Sequence, residues 1–475
     1  MKRGIICILS ILLTIQAIGC VSQTGDTPET TPGQTESSQD DTTDLSPNLE
    51  AKDYGGYEFT IISYKPDGTA ISNANFFAEE ITGESINDAI FERNLKIENK
   101  YGITINSILS PVSECINAVK SSVLSGDDDY DLAEFGLLPS FSAGLNGLLY
   151  NVNDLPNIDT SMPWWNQNSI TETKVNGKNY FLIGCSDLVA FDSLGVLFFN
   201  KELAAENKID DLYQIVYDGK WTYDKMLEYC LKVSRDLDGN SVFDEKDMYG
   251  LAINSYAALT FTYGAGTRFV DPETLKFGFS EKFIDFFEKL CKLPLDNSVM
   301  YGENYGTNRV TYMKSAFEEN RVLFYNEMLN RTSMLRNMEK DFGILPMPKS
   351  DESQEEYTSF CHQTSSASII VPLTASDVDR TSRILEDMTY ESMLSVYPTY
   401  IETNVKTKYL RDEDSPKMVD IIINGIHFDI TMVSGSSLPN DLRSMLTSSS
   451  TAIASTLASK KQSYDEQLAQ LLDQN

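Results

Sequence analysis

From Tyr54 onward, short apolar runs rich in β-branched and aromatic residues alternate with longer stretches that have helical spacing. The apolar runs are expected to be strands and lie at 57–63, 131–135, 180–183, 194–199, 321–326 and 367–371. Stretches with a helical face lie at 86–95, 113–123, 223–231, 376–388 and 441–471. Strands that are separated by helices favour parallel pairing, so the pattern predicts an α/β protein.

The N-terminal residues have a different pattern. Lys2 and Arg3 precede an apolar run at 5–18 that is too short and too polar for a membrane-spanning helix but has the length of a signal peptide. Small residues then precede Cys20, as in the lipobox of bacterial lipoproteins. Residues 1–19 are therefore predicted to be a lipoprotein signal peptide and Cys20 to be diacylated. An ordinary secretory peptide with an incidental Cys20 is the alternative.

Residues 20–49 are dominated by Ser, Thr, Gln, Asp, Gly and Pro. Such a segment cannot bury enough apolar surface to offset its ordering entropy, so we predict a disordered tether. With a lipid on Cys20, the tether would hold the protein at the extracellular face of a bacterial cell membrane. The folded part would then begin near residue 50.

Composition narrows the classes of function. The 475 residues contain 38 Lys and Arg against 70 Asp and Glu, a formal net charge of −32 that disfavours nucleic acid and anionic lipid surfaces as partners. Only two histidines are present, His362 and His427, which limits His-based catalysis and His-rich metal sites. The cysteines beyond Cys20 are odd in number and have no CxxC spacing, so neither a disulfide framework nor a zinc site is indicated.

Several weak motifs occur in a fixed order between about residues 55 and 395. They are Asp129-Tyr130-Asp131-Leu132, Gly147-Leu148-Leu149, Asn176-Gly177-Lys178, Leu197 to Leu203 (LFFNKEL), Gly219-Lys220-Trp221-Thr222, Tyr249-Gly250-Leu251, Phe317 to Phe324 (FEENRVLF) and Phe342 to Pro348 (FGILPMP). In their order and spacing, these motifs resemble the extracellular solute-binding proteins of ABC importers. The resemblance is to the carbohydrate-type class that is related to maltose-binding protein.

The resemblance implies a two-lobed fold of the periplasmic-binding-protein type, with a ligand cleft between lobes that are joined by about three hinge crossings. It places 50–186 and 320–367 in the first lobe, and 187–319 and 368–475, with the C-terminal helices, in the second. Closure around a ligand would be a hinge motion. The expected partners are a small-molecule ligand of the saccharide class and the permease subunits. The protein is expected to be a monomer that contacts the membrane only through its lipid.

A sugar presents apolar C–H faces and a rim of hydroxyls, so its binder needs aromatic rings and planar polar side chains. Trp164, Trp165 and Asn166 lie in a turn-rich segment, where one indole could stack on a sugar and Asn166 could contact its hydroxyls. The alternative is that the tryptophans fill the core.

Two further groups of residues are candidates for the cleft. By the resemblance, Asp187, Asp192 and Ser193 lie where the chain crosses between lobes, although capping or turn roles for the aspartates are equally open. Asn326 and Glu327 end one predicted strand, and Phe135 ends another. The carboxyl ends of strands are where open α/β sheets present ligand-binding groups.

An acidic loop suggests a structural Ca²⁺ site. Asp236, Asp238, Asn240, Asp244 and Asp247 have the oxygen-ligand spacing of an EF-hand loop, with the carbonyl of Val242 at the seventh place. Ser241 replaces the usual glycine and Asp247 the usual glutamate. A polar turn-rich loop without metal is the alternative.

These observations favour a binding component of an ABC importer over an enzyme, and no catalytic residues are assigned. A secreted glycoside-active enzyme would need a carboxylate pair across a sugar cleft, and a chain with 70 acids cannot exclude one. A ligand-sensing surface lipoprotein is the third possibility.

Overall fold

The computed structural model describes residues 45–67, 74–271, 274–335, 337–362, 366–403 and 412–473. The predicted signal peptide at 1–19, Cys20 and most of the tether lie outside the described residues. Among the described helices, none combines the length and apolar character that crossing a membrane requires.

As far as Met328 the described strands and helices largely alternate, as the hydrophobic pattern predicts, whereas the described elements from Val378 to Leu472 are all helices. The strands are β1 Tyr57–Tyr64, β2 Ile103–Ser110, β3 Leu132–Phe135, β4 Gly195–Asn200, β5 Tyr249–Ile253, β6 Val270–Asp271, β7 Lys276–Phe277, β8 Val299–Tyr301, β9 Val322–Met328, β10 Phe342–Leu345 and β11 Ser368–Ile370. The α-helices are α1 Ser85–Tyr101, α2 Val112–Ser125, α3 Leu137–Leu145, α4 Gln167–Glu172, α5 Leu188–Asp192, α6 Lys201–Glu206, α7 Leu212–Tyr217, α8 Tyr223–Val233, α9 Ala257–Gly264, α10 Glu281–Leu290, α11 Arg309–Glu318, α12 Val378–Leu394, α13 Val396–Tyr400, α14 Ser415–Asn424, α15 Ile430–Val433, α16 Leu438–Thr447 and α17 Ile453–Leu472.

The first sheet has the strand order β11-β3-β1-β2. β1 is parallel to β2 and to β3, since α1 and α2 provide the connections that parallel strands need. β11 joins the edge of β3 in antiparallel register, with Ser368 opposite Phe135.

The second sheet has the order β10-β4-β9-β5-β8. β5 is parallel to β8 and β9, whereas β4 is antiparallel to both β9 and β10. Every residue of β4 is buried, as expected for a central strand that is covered on both faces.

The sheet membership corrects the predicted lobe boundaries. Residues 320–367 were assigned to the first lobe, but β9 and β10 pair within the second sheet. Residues 368–475 were assigned to the second lobe, but β11 pairs with β3, and α12 contacts α1. The first lobe therefore takes its later part from β11 to α13, and the assignment of 320–367 to it was wrong.

The order of the described elements implies three passages between the two sheets, the number that the resemblance predicts. The first passage connects β3 to β4, and the second connects β10 to β11. The third lies between α13, which contacts α1, and α14, which contacts β10.

Candidate ligand-binding site

The first two passages run side by side at one edge of the second sheet. We call residues 184–194 the first crossing segment and residues 358–362 the second. The amide of Gly195 donates to the carbonyl of Phe360 at 3.0 Å, and the amide of His362 donates to the carbonyl of Ser193 at 3.2 Å. Gly195 lies opposite Met328, the last residue of β9, so both segments lie at the carboxyl end of that strand. This is the usual position of a ligand in an α/β sheet.

A cavity of about 120 Å³ opens at this position, and we call it the sheet-edge cavity. Its walls come from the two crossing segments, the carboxyl ends of β5 and β9, and the segments around α9 and α11. The lining residues are Ser193, Gly195, Asn254, Tyr256, Thr260, Arg309, Val310, Asn326, Glu327, Met328, Arg331, Phe360 and His362.

Internal hydrogen bonds hold the floor of the sheet-edge cavity in place. Asn326 accepts from the Thr260 hydroxyl at 3.0 Å and donates to the carbonyl of Val196 at 3.1 Å. The Ser193 hydroxyl donates to the carbonyl of Ala190 at 2.9 Å. A floor whose side chains are fixed this way is organised before a ligand arrives, which lowers the entropy cost of binding.

Burial shifts the pKa values of the ionisable groups that line the sheet-edge cavity. Burial raises the pKa of the Glu327 carboxyl, and the charge of Arg331, whose Nε lies 3.5 Å from Glu327 Oε2, opposes that rise. Burial lowers the pKa of His362 to about 4, with the positive charge of Arg443 as a second cause. His362 is therefore a neutral imidazole at pH 7, with its ring centre 5.0 Å from that of Tyr256.

Three of the nine predicted ligand-binding residues, Ser193, Asn326 and Glu327, line the sheet-edge cavity. Trp164, Trp165 and Asn166 border a different cavity, of about 470 Å³, together with residues of α13 and α14. Phe135, Asp187 and Asp192 line neither of these cavities.

Both indoles that were candidates for contact with a sugar lie in the core. Trp164 and Trp165 are 1% and 2% exposed, and their Nε1 atoms donate to the two carboxylate oxygens of Glu386 at 3.2 and 2.9 Å. A Cβ at Gly184 would lie 2.7 Å from Trp165 Cε3, so the glycine lets the backbone approach the ring closely. Stacking of either ring on a sugar does not fit this arrangement, and the alternative of core packing is correct. Asn166 caps α4 by accepting from the amide of Ser169 at 2.8 Å.

The predicted residues at the end of β3 and in the first crossing segment are also buried. Phe135 is fully buried within the first sheet, which corrects its assignment to the cleft surface. Asp187 is fully buried, and it caps α5 by accepting from the amide of Ala190 at 3.2 Å. Asp192 accepts from the Tyr400 hydroxyl at 2.9 Å. The structure therefore gives these two aspartates internal roles in place of the predicted contacts with ligand hydroxyls.

Asp187 belongs to a buried pair of carboxyl groups. Asn75 Nδ2 donates both to Glu134 Oε1 at 2.9 Å and to Asp187 Oδ1 at 3.1 Å. Burial raises the pKa of both acids, and the charge of Asp187 raises that of Glu134 further. Ionisation of Asp187 therefore makes ionisation of Glu134 less favourable, because like charges repel in a buried site.

The acidic loop brings part of its predicted ligand set together. One carboxylate oxygen from each of Asp236, Asp238 and Asp247 lies within 4.8 Å of the others, a spacing that suits a cation with bonds of about 2.3–2.6 Å. Asp244 lies outside this group. Asp236 also accepts from the amide of Ser241, which has a left-handed φ of 65°. The Ca²⁺ site stays a prediction.

The sequence interpretation missed Asn254, Tyr256, Arg309 and Arg331. A signal was present for the first two, because they lie within three residues after the end of β5, and the rule that selected Asn326 applies equally to that strand. Arg309 begins α11 and Arg331 lies in a 3₁₀ segment, so no hydrophobic period marks either arginine.

Comparison with solved structures identifies the architecture. The sugar-binding protein MalE from Xanthomonas citri superposes with a TM-score of 0.61 at 12% identity, over 87% of this chain and 98% of its own. An ABC substrate-binding protein from Listeria monocytogenes, solved with cycloalternan, gives 0.54 at 12% identity, over 88% and 97%. An ABC solute-binding protein from Thermotoga lettingae, solved with α-D-tagatose, gives 0.53 at 13% identity, over 87% and 100%.

No protein-family model and no curated protein sequence matches the chain. The likeness is therefore one of fold, and it extends over nearly the whole of each neighbour. The chain has the two-lobed α/β fold of the sugar-binding proteins of ABC transporters.

Proposed function

We propose that this protein is the substrate-binding component of an ABC transporter, which captures a saccharide and delivers it to the permease. The observation that carries the proposal is the position of the sheet-edge cavity. It lies at the carboxyl ends of β5 and β9, beside two of the three passages that join the sheets. A ligand bound there contacts the segments that a hinge motion would move, so binding is coupled to closure.

The lining chemistry supports a saccharide ligand. Tyr256 and Phe360 supply aromatic surface for C–H faces, and Asn254 and His362 supply polar groups for hydroxyls. Phe360 stacks on Tyr263 with ring centres 5.5 Å apart, so its ring is held in place.

The arrangement of acids supports binding over glycoside hydrolysis. Among the described residues that line the sheet-edge cavity, Glu327 is the single carboxylate, whereas hydrolysis needs two across the scissile bond. The close pair Glu134 and Asp187 is fully buried. With a lipid on Cys20, the protein would act at the extracellular face of the cell membrane.

A thermal-shift panel of saccharides tests the function. A ligand at one hundred times its Kd adds about 2.7 kcal/mol to the free energy of unfolding, so a true ligand raises the melting temperature at micromolar to millimolar concentration. Sorbitol at the same concentration controls for general osmolyte stabilisation. If no saccharide exceeds sorbitol, the proposal is wrong.

Two tyrosine variants test whether a saccharide that raises the melting temperature binds in the sheet-edge cavity. Tyr256→Ala removes an aromatic ring from the wall and should weaken saccharide binding at least about tenfold, since such rings contribute a large share of the binding energy. Tyr217→Ala removes a tyrosine that is 44% exposed and outside the cavity, and it should leave the affinity unchanged. Equal affinities in the two variants would place the ligand elsewhere.

A further inference from the structure

Arg443, on α16, is a partly buried arginine that packs behind the wall of the sheet-edge cavity. Its guanidinium carbon lies 3.9 Å from the ring centre of Tyr256, and its Nη2 donates to the Ser255 hydroxyl at 3.1 Å. Among the described residues, Arg443 forms no salt bridge, and its buried Nε has no hydrogen-bond partner. The guanidinium group is therefore held by the residues of one short loop, 254–256.

His362, in the second crossing segment, packs against the same tyrosine. The ring centres of Tyr256 and His362 are 5.0 Å apart, and His362 is buried. Tyr256 and His362 line the sheet-edge cavity, whereas Arg443 does not. Arg443 can therefore act on a bound ligand only through the side chains that separate it from the cavity, and Tyr256 is the one on which it stacks.

The backbone of the loop that carries Tyr256 is held by other hydrogen bonds. The amide of Ser255 donates to Glu303 Oε1 at 2.9 Å, and the amide of Tyr256 donates to Asn254 Oδ1 at 2.8 Å. These bonds fix the main chain but not the direction of the Tyr256 ring, since rotation about the side-chain bonds leaves them intact. The contact with Arg443 restricts that rotation.

A ring in a binding site contributes most when its position is fixed before the ligand arrives, because ordering a free side chain subtracts from the binding free energy. A guanidinium group is suited to fixing it. The group is planar and stacks on an aromatic face, and the cation–π attraction is stronger where water is excluded. A lysine ammonium has the charge without the plane, so it would restrict the ring less.

We infer that Arg443 is a positioning residue for the saccharide site, which fixes the Tyr256 ring in the wall of the sheet-edge cavity without contacting the ligand. The affinity for the saccharide then depends on Arg443 through Tyr256. This inference rests on the proposed function and deepens it. It adds a determinant of affinity that lies 188 residues beyond Ser255 in the chain.

A double-mutant cycle measured by isothermal titration tests the inference. Glucose, galactose, maltose and tagatose are the probes, and the one that raises the melting temperature most is titrated. Arg443→Gln should weaken its binding about three- to tenfold, the range expected when one side chain must be ordered on binding. In a Tyr256→Ala background the same change should have no further effect. In a Tyr256→Phe background, which keeps the ring, it should have its full effect.

Two further variants serve as controls. Arg443→Lys keeps the charge but loses the planar group, and it should show an intermediate loss of affinity. Arg235→Gln makes the same charge change as Arg443→Gln at an exposed arginine outside the cavity, and it should bind like the wild type. If Arg443→Gln fails to fold, Ser255→Ala, which removes the acceptor of the Nη2 hydrogen bond, replaces it in the cycle with a smaller expected loss.

The histidine signals in an NMR spectrum test the contact without any saccharide. The chain has only two histidines, so two imidazole signals are expected at pH 7, and a His427→Asn variant assigns them. His362 lies close enough to the Tyr256 ring for its chemical shift to report the position of that ring. Arg443→Gln should move the His362 signal toward its position in Tyr256→Ala, and Arg235→Gln should leave it in place.

The outcomes separate the two proposals. Equal losses from Arg443→Gln in the wild-type and Tyr256→Ala backgrounds, or no loss in either, would overturn the positioning role and leave the transport function standing. Failure of every saccharide to bind would overturn the proposed function itself. A His362 signal that Arg443→Gln does not move would overturn the positioning role whether or not a saccharide binds.

Discussion

At the scale of single residues, Glu386 shows how one buried acid can determine what two tryptophans do. Its two carboxylate oxygens accept from both indole Nε1 atoms, and Asp159 adds a backbone donor at 3.3 Å. Burial raises the pKa of Glu386 to about 7, even though the three donors favour the charged form. The carboxyl group is therefore a source of pH-dependent stability.

The sign of that dependence follows from proton linkage. The folded carboxyl group takes up its proton near pH 7 and the unfolded one near pH 4.3, so stability rises as the pH falls between these values. Between pH 8 and pH 5.5 the wild type should gain about 2 kcal/mol of unfolding free energy that Glu386→Gln lacks. Urea denaturation at both pH values measures the difference.

A control variant separates the contribution of Glu386 to the pH-dependent stability from the contributions of other ionisable groups. Glu355→Gln changes an exposed glutamate on a loop and should show the same pH response as the wild type. Glu386→Gln should also cost stability at both pH values, since the amide NH₂ replaces one of the two oxygens that accept from the indoles and leaves that indole N–H without an acceptor. If the free energy of unfolding rises equally in Glu386→Gln and Glu355→Gln between pH 8 and pH 5.5, Glu386 is not the source of the pH-dependent stability.

The sequence position and the partners of each residue determine which site residues could be predicted. Asn326 was found because it ends an apolar run, and the carboxyl end of a strand is a recognisable position. Trp164 was misassigned because an aromatic ring suits a sugar and a core equally, and its partner Glu386 is 222 residues away. Arg309 and Arg331 were missed because only the folded chain brings them beside Gly195.

At the scale of elements, the predicted Ca²⁺ site in the acidic loop between α8 and β5 can be tested directly. Chelator-stripped protein should release or absorb heat when titrated with Ca²⁺, because Asp236, Asp238 and Asp247 already converge. Asp236→Asn should weaken binding, whereas Asp285→Asn, an exposed acid on α10, should not. Absence of heat at millimolar Ca²⁺ would remove the prediction.

The elements themselves were largely predictable, but their partners were not. β1 and β9 were located from their apolar runs to within two residues at either end. The run at 180–183 is not a regular strand and forms one isolated bridge, between Leu182 and Ile369. The family resemblance places β9 in the first lobe, but it pairs within the second sheet. The apolar pattern could not correct that placement, because a strand buried on both faces is apolar throughout and does not encode which neighbour it pairs with.

At the scale of the whole molecule, the net charge of −32 should destabilise the folded state through self-repulsion. Raising NaCl from 10 to 150 mM shortens the Debye length from about 30 to about 8 Å, and the urea midpoint at pH 7.5 should rise accordingly. Near pH 4.4, the isoelectric point, the same change should have little effect. A midpoint that falls with salt at pH 7.5 would show that ion pairs outweigh repulsion.

The pairing of β11 with β3 also determines when the protein can fold. Ser368 and Phe135 are opposite each other although 233 residues separate them, so the first sheet lacks an edge strand until most of the chain has been synthesised. Contacts of such long range slow folding, and an N-terminal fragment is left with an exposed strand edge. A chain that leaves the ribosome in this order would stay unfolded for longer, which would suit the export that the predicted signal peptide at 1–19 implies.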